Sequence, residues 1–322
     1  MQQTNIAING FGRIGLLTAR VILGKYPNLK ITAVNDLSSK ESLLKKLRSD
    51  ELYGKFNLPL KANFFNEKDP EKLPWKKLNI DLVLECTGFF KEKETAQKHL
   101  LSGAKKVIIS APSQTAPTYL LGVNFEKYKG EKIISMGSCT TNASASVLKV
   151  LNDKFGVEKC FLNTVHSYTQ GQNKVYPNWR KDKASVLSII PHTTGASKSI
   201  EKALPSLKGK IEGLALRVPT ATVSIVDLTV LSKKKTTTQR VNQALKQASL
   251  KDPLKGILKI STENEQFIST DLKGSEFSSV VQAGLTEAKG NLIRVLSWYD
   301  NEWAYACRLA QLANAIATRP GL

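Results

Sequence analysis

The chain of 322 residues, 41% of them hydrophobic, is too long for one small core and is most simply interpreted as two packed domains. Its four cysteines lack CxxC spacing, so we expect no disulfide framework and no metal site. No stretch approaches the roughly 20 apolar residues of a membrane span, so we expect a cytoplasmic protein without one. The formal charge of +20 favours anionic partners, but the lysines lie in separate clusters without interleaved aromatic residues, which disfavours a dedicated nucleic-acid face.

Short apolar segments alternate with helical or loop-like stretches in the first half of the chain. Residues 5–9 predict a buried strand, and residues 16–23 predict the helix that follows a glycine turn. Further strands are predicted at residues 30–35, 81–84, 106–110 and 132–135. This alternation is typical of an α/β domain of the Rossmann type, with a doubly wound parallel sheet.

The second half of the chain has longer strands. A helix is predicted from Cys139 to about residue 151, followed by apolar strands at residues 222–231 and 291–297 with a helix near residues 240–247 between them. This pattern predicts an α+β domain with a large mixed or antiparallel sheet.

The first predicted strand is followed by a GxGxxG motif formed by Gly10, Gly12 and Gly15. Such a turn lets the backbone approach a pyrophosphate, and the start of the following helix attracts its charge. Asp36 ends the second predicted strand, where a carboxylate accepts hydrogen bonds from ribose hydroxyls and repels a 2′-phosphate. The pattern therefore favours NAD over NADP, and the alternative is a glycine-rich turn with a surface aspartate.

Cys139 stands between a strand and a helix rich in Ala, Val and Leu. The unpaired N–H groups of a helix N-terminus stabilise a thiolate, and a neighbouring imidazole would stabilise it further. His166 follows an apolar strand and is the natural partner. Taken singly, a buried cysteine is more often a packing residue and a lone histidine more often a structural one.

The run Ser-Cys-Thr-Thr-Asn at residues 138–142, together with residues 9–15, resembles the active-site and cofactor signatures of the glyceraldehyde-3-phosphate dehydrogenase family. The resemblance extends over nearly the whole chain. Its further segments are residues 110–113, 164–169, 189–191, 194–196, 217–220 and 297–303.

This resemblance implies an NAD-binding domain at residues 1–138 and 301–322 and a catalytic domain at residues 139–300. In the family, a cysteine thiolate attacks an aldehyde, a histidine assists, hydride passes to NAD, and inorganic phosphate cleaves the thioester. Cys139 and His166 match the two catalytic positions. The substrates would be glyceraldehyde 3-phosphate and phosphate, and the assembly a homotetramer.

The resemblance also assigns binding residues. Substrate and phosphate positions are matched by Ser138, Thr140, Thr169, Thr194, Gly195 and Arg217. Cofactor positions are matched by Gly10, Gly12, Arg13, Ile14, Gly15, Asp36, Lys68, Ser110 and Asn301, the last of which would bind the nicotinamide carboxamide.

The sequence departs from the family pattern at several positions. Ala143 stands where a second cysteine is common, so Cys139 would have no resolving thiol four residues away. Residues 172–188 form a shorter stretch without the usual arginine-rich run, and Gly171 and His192 replace residues that usually carry a hydroxyl. We expect modest changes in affinity from these differences.

Three other functions remain open at this stage. The nearest is erythrose-4-phosphate dehydrogenase, which handles a longer sugar and releases a free acid. A semialdehyde dehydrogenase of amino-acid synthesis shares the two-domain plan, but the motifs after Cys139 argue against it. An RNA-binding protein that uses the basic surface is the alternative outside enzymes, and a salt-sensitive association with RNA could also accompany catalysis.

Overall fold

The computed structural model describes residues 3–168 and 188–319. These residues form two compact units. The first contains the described residues of Met1–Leu120, Phe125–Ser138 and Tyr305–Leu322, and the second those of Leu121–Asn124 and Cys139–Ala304. The functional division at residues 138/139 and 300/301 stays a prediction.

The first unit is built on a six-stranded parallel sheet in the order β5-β2-β1-β6-β7-β8. The strands of this unit are β1 Thr4–Asn9, β2 Leu29–Asn35, β3 Ser49–Asp50, β4 Gly54–Lys55, β5 Asn63–Phe65, β6 Leu82–Glu85, β7 Lys106–Ile109 and β8 Ile133–Ser135, of which β3 and β4 form a separate pair. Its first helices are α1 Arg13–Lys25, α2 Lys40–Arg48 and α3 Lys93–Leu101. The order of connections reverses between β1 and β6, which confirms the predicted Rossmann-type fold.

The second unit contains an eight-stranded mixed sheet in the order β10-β11-β9-β12-β16-β14-β13, with β15 paired to β16. Its strands are β9 Val157–Ser167, β10 Ile190–Thr193, β11 Ile211–Val218, β12 Ser224–Ser232, β13 Leu258–Ile260, β14 Ser279–Val281, β15 Glu287–Lys289 and β16 Leu292–Tyr299. Its helices are α4 Cys139–Phe155, α5 Ala196–Ala203 and α6 Thr238–Ser249, and the last helix of the chain, α7 Trp303–Ala317, lies in the first unit from Tyr305 onward. The β9 and β11 strands are parallel, whereas β9 and β12 are antiparallel. The predicted mixed sheet is therefore confirmed.

The structure contains a longer first helix than the sequence pattern predicted and two short strands that the pattern did not predict. Helix α1 begins at Arg13, three residues before the predicted start, because a first turn needs no apolar face. The short strands β5 and β10 carry no clear alternation of their own and exist through pairing with β2 and β11. Among the described residues, no helix is long and apolar enough to cross a membrane.

A buried polar network ties the carboxyl ends of the central strands of the first sheet together. Asn9 donates to the Glu85 carboxylate over 2.6 Å, and the His99 ring lies 2.9 Å from the same oxygen. Trp75 donates from Nε1 to His99 Nδ1 over 3.0 Å, so the neutral His99 ring carries its proton on Nε2 and donates it to Glu85. Asn9, Glu85, His99 and Trp75 each have a hydrogen-bond partner within this network, which fixes the strand ends that support the glycine turn.

Two glycines of helix α1 allow a matched test of the close packing beneath that turn. A Cβ at Gly15 would lie 2.1 Å from the Gly10 carbonyl oxygen, whereas a Cβ at Gly24 would meet nothing within 4 Å. We expect Gly15→Ala to lower the melting temperature, because overpacking of this kind costs about 1–3 kcal/mol. Gly24→Ala should leave it unchanged or raise it, since alanine favours a helix by about 0.5–1 kcal/mol. Differential scanning calorimetry of both variants checks this, and equal melting temperatures would show that the close contact does not matter.

Candidate active site

Cys139 is the first residue of helix α4, as the sequence predicted for a helix N-terminus. Its Sγ lies 3.4 Å from His166 Nε2. The two residues are 27 positions apart, and strand β9 brings the imidazole to the start of the helix. This is the distance expected between a thiol and the base that serves it.

Strand pairing places a guanidinium beside the imidazole. Arg217 on β11 is the register partner of His166 on β9, and its Nη1 lies 2.5 Å from His166 Nδ1. His166 Nδ1 also lies 2.9 Å from the carbonyl oxygen of Ser167. When Nδ1 accepts from Arg217, the neutral ring carries its proton on Nε2; when Nδ1 donates to Ser167, Nε2 presents a lone pair to Cys139. Only the second arrangement lets the imidazole accept the thiol proton.

The environment favours the uncharged forms of this pair. Burial raises the pKa of the Cys139 thiol above its ordinary value, against the opposing effects of the Arg217 charge and of Thr140 hydrogen bonds at the helix start. Burial and the Arg217 charge lower the pKa of His166 to about 3. The sequence suggested that the helix and the imidazole would favour a thiolate, but desolvation outweighs both.

Tyr299 is a positioning residue that sequence reasoning did not single out. Its hydroxyl lies 2.8 Å from Thr140 Oγ1 and 2.7 Å from Thr164 Oγ1, which joins the start of α4 to strand β9. Its ring also packs edge-on against His166, with centroids 6.0 Å apart. The residue stands within the matched run at 297–303, but only strand pairing reveals the bridge.

Asn301 has an amide that is oriented by two hydroxyls. Its Oδ1 accepts from Ser167 Oγ over 2.9 Å and from Ser224 Oγ over 3.1 Å. These bonds fix which end of the amide accepts, so the NH₂ group is left for other partners.

The remaining anion-binding candidates lie farther along the sheet. Thr194 and Gly195 precede helix α5, and the Thr194 hydroxyl accepts from the Ala196 backbone N–H over 3.2 Å. Thr193 pairs with Leu214, three residues before Arg217, which places this turn roughly 10 Å from Arg217 along the strand. Thr169 and Gly171 lie outside the described residues, as does the shortened stretch up to residue 187.

The dinucleotide candidates of the first unit gather at the carboxyl edge of its sheet. Asp36 follows β2, and its carboxylate accepts from the Phe11 and Ser38 backbone N–H groups over 2.7 and 2.9 Å. Gly10 has a φ of 89°, and a Cβ there would lie 2.6 Å from the Thr87 backbone nitrogen. Ser110 follows β7, and its N–H donates to the Glu85 carbonyl oxygen over 2.9 Å.

The other two cofactor candidates have different surroundings. The Arg13 guanidinium forms an ion pair with Asp50 and stands over the Tyr53 ring, 5.6 Å from its centroid. Lys68 is exposed, three residues beyond the end of β5. Within the described part of the chain, no group of three or more His, Cys, Asp or Glu side chains is arranged to hold a metal ion.

Comparison with known proteins adds a second line of information. Residues 4–93 match the family model described as glyceraldehyde 3-phosphate dehydrogenase, NAD binding domain, and residues 138–301 match the corresponding C-terminal domain. Glyceraldehyde-3-phosphate dehydrogenase 2 of Nostoc sp. is 44% identical over 98% of both chains. Glyceraldehyde-3-phosphate dehydrogenases of Colletotrichum lindemuthianum and Bacteroides fragilis are each 41% identical, over 98% of this chain and 98% and 99% of theirs.

The contact between Arg217 and His166 yields a test by NMR. The chain has only three histidines, so ¹³C-labelled histidine gives a simple spectrum. We expect the His166 resonance not to titrate between pH 5 and 8, because its pKa is lowered to about 3. Arg217→Gln should raise that pKa by about one pH unit or more, since a like charge disfavours the imidazolium.

The control is Arg294→Gln, which removes an arginine that is paired with Asp227 on the same sheet. It should leave the His166 titration unchanged. A His166 pKa that is the same in the wild-type protein and the Arg217 variant would show that the guanidinium does not act on the ring.

Proposed function

The chain belongs to the glyceraldehyde-3-phosphate dehydrogenase family, and we propose that it oxidises D-glyceraldehyde 3-phosphate to 1,3-bisphosphoglycerate with phosphate and NAD, as in glycolysis. The observation that carries this proposal is the Cys139–His166 pair, with 3.4 Å between Sγ and Nε2. An oxidised aldehyde held as a thioester keeps the energy of oxidation, so phosphate receives the acyl group and an acyl phosphate is released.

We assign covalent catalysis to Cys139 and proton transfer to His166. The Cys139 sulfur bonds to the aldehyde carbon while His166 Nε2 relays the thiol proton to the carbonyl oxygen, which gives a thiohemiacetal. Nε2 then takes the hydroxyl proton as hydride leaves the same carbon, and a thioester remains. Phosphate oxygen attacks the thioester, the sulfur departs, and the imidazolium returns a proton to it.

The residues of the glycine turn fit NAD. The close contacts that a Cβ at Gly10 would make require glycine there, and α1 has no acidic residue in its first turn to repel a pyrophosphate. We assign the pyrophosphate to Gly10, Gly12, Arg13, Ile14 and Gly15. NAD, when it is bound there, supplies the hydride acceptor.

The other cofactor assignments rest on the family match. Asp36 is assigned to the adenosine ribose, Lys68 and Ser110 to the lining of the same site, and Asn301 to the nicotinamide carboxamide. The fixed orientation of the Asn301 amide supports its role, because an amide held at Oδ1 offers a defined donor.

Two anion subsites are proposed for the substrate phosphate and inorganic phosphate. One uses Arg217 with Thr169, and the other uses Ser138, Thr140, Thr194 and Gly195. An anion held by Arg217 offsets the charge that lowers the His166 pKa and competes with Nδ1 for the guanidinium. Substrate binding therefore favours the form of the ring whose Nε2 accepts a proton.

We also propose a homotetramer located in the cytoplasm. The outer face of the second sheet supports self-association, because Phe161, Leu214 and Leu292 are exposed on it by 69%, 45% and 49%. Apolar side chains gathered on one face of a sheet are typical of a protein interface.

Turnover measured by NADH formation tests the proposal. We expect the wild-type protein to need both glyceraldehyde 3-phosphate and inorganic phosphate, and Cys139→Ser to lose at least about 10³-fold in kcat, because a serine hydroxyl is a far weaker nucleophile than a thiol. Cys160→Ala is the matched control: it lies on the same strand as His166, and burial raises the pKa of its thiol to about 12. This variant should keep near wild-type kcat.

Other outcomes would redirect the assignment. If turnover does not depend on phosphate, or if it requires erythrose 4-phosphate, the protein would instead be assigned as an erythrose-4-phosphate dehydrogenase, which releases a free acid. Full activity in Cys139→Ser would remove the thioester chemistry altogether.

Asp36→Asn tests cofactor choice, since the amide keeps a hydrogen-bond acceptor and loses the charge that repels a 2′-phosphate. We expect the ratio of kcat/KM for NAD to that for NADP to fall at least about tenfold. Asp81→Asn serves as the control, because Asp81 lies just before the amino end of β6, at the opposite edge of the sheet. An unchanged ratio in Asp36→Asn would place cofactor selection elsewhere.

A further inference from the structure

The first unit contains a cavity of about 790 Å³ whose lining includes five basic side chains. They are Lys105, Lys106, Lys129, Lys132 and Arg319. None of the described residues that line the cavity is acidic, and its floor includes the apolar side chains of Leu100, Ala104 and Ile316. A volume of this size is typical of small-molecule sites.

The cavity is remote from the dinucleotide turn. It lies where β7 begins at Lys106 and β8 begins at Ile133, which is the amino edge of the parallel sheet. The turn from Gly10 to Gly15 follows the carboxyl end of β1, at the opposite edge. A ligand in this cavity therefore does not occupy the proposed NAD site.

Among the described residues, Arg319 is held in place by carbonyl oxygens and rings and not by a carboxylate. Its Nη1 donates to the Tyr128 carbonyl oxygen over 2.7 Å and its Nη2 to the Phe125 carbonyl oxygen over 3.1 Å. The guanidinium carbon lies 4.6 Å from the Phe125 ring centroid. The carbonyl oxygens and rings fix the position of the guanidinium but do not neutralise its positive charge. The site is therefore suited to an anionic ligand.

Of the four neighbouring lysines, only Lys105 forms an ion pair among the described residues, although the Lys129 charge also acts on the Glu131 carboxylate. Lys105 is paired with Asp81 over 2.7 Å. Lys106 donates to the Tyr128 hydroxyl over 3.0 Å. Considering only residues that the structure describes, Lys106, Lys129 and Lys132 form no ion pair within 4.0 Å. Together with Arg319, four cations of like sign line one concave surface, and their mutual repulsion is relieved when an anion binds.

We propose that this cavity binds an organic polyphosphate, with two or three phosphates on the cations and the organic part over the apolar floor. A terminal phosphate carries about −1.5 to −2 charges at pH 7, so one phosphate does not match four cations. A nucleoside triphosphate and inorganic tripolyphosphate share the recognised chemistry. The proposal is independent of the reaction assigned above, because none of these residues is part of it.

Isothermal titration of the full-length protein tests the proposal, with NAD present in saturating amount so that ATP cannot enter the dinucleotide site. Tripolyphosphate and ATP are titrated separately at 0.15 M salt. We expect saturable binding of one ligand per chain. Tighter binding of ATP would assign part of the affinity to the apolar floor, and equal binding would assign it to the phosphates.

The decisive variant is Lys129→Gln with Lys132→Gln, because both side chains are exposed and their loss does not threaten folding. This double variant should raise the Kd for both probes at least tenfold and leave kcat unchanged. Lys45→Gln with Lys46→Gln removes the same charge from an exposed face of α2 and should change Kd less than twofold. Arg217→Gln should also leave this Kd unchanged, which separates the cavity from the proposed phosphate subsite.

Three results would overturn the proposal. Equal weakening in the two double variants would assign binding to diffuse surface charge. If neither tripolyphosphate nor ATP binds saturably, the cavity is not a polyphosphate site. Binding of long RNA without binding of either small probe would assign the cations to a nucleic acid.

Discussion

The register of strand β9 between β11 and β12 is the constraint on which the candidate active site depends. It sets His166 beside Arg217 on one side, and it lets Tyr299 reach Thr164 through β12 and β16. A slip of one residue would turn the imidazole to the other face of the sheet and away from Cys139. The position of His166 relative to Cys139 is thus fixed by the backbone hydrogen bonds of an eight-stranded sheet.

The same arrangement creates a conflict of charges. Arg217 is suited to hold an anion, yet its position lowers the pKa of the imidazole to which we assign proton transfer. Burial acts in the same direction on His166 and raises the pKa of Cys139. In the proposed reaction, a phosphate-bearing substrate held by Arg217 would resolve this conflict by neutralising the guanidinium, and substrate binding and base strength would then be coupled through one side chain.

The first unit divides its chemistry between the two edges of its parallel sheet. The carboxyl edge carries the glycine turn and Asp36, supported by the buried network around Glu85. The amino edge carries a cavity lined by five basic side chains, of which only Lys105 forms an ion pair among the described residues. The high net charge of the chain is therefore not only a solvated surface, since part of it is concentrated in a concave site.

The amino-acid sequence alone predicted the fold class, which the structure confirms, together with the glycine turn and the assignment of Cys139 and His166 to catalysis, which stays a prediction. Short-range signals carry these features, because apolar periodicity defines strands and helices, and the motifs at residues 10–15 and 138–142 are contiguous. The hydrogen bonds of Tyr299, the contact of Arg217 with His166 and the basic cavity became visible only in the folded chain. Each of these joins residues that are far apart in the chain, and burial and charge at such points depend on strand register, which no local pattern encodes.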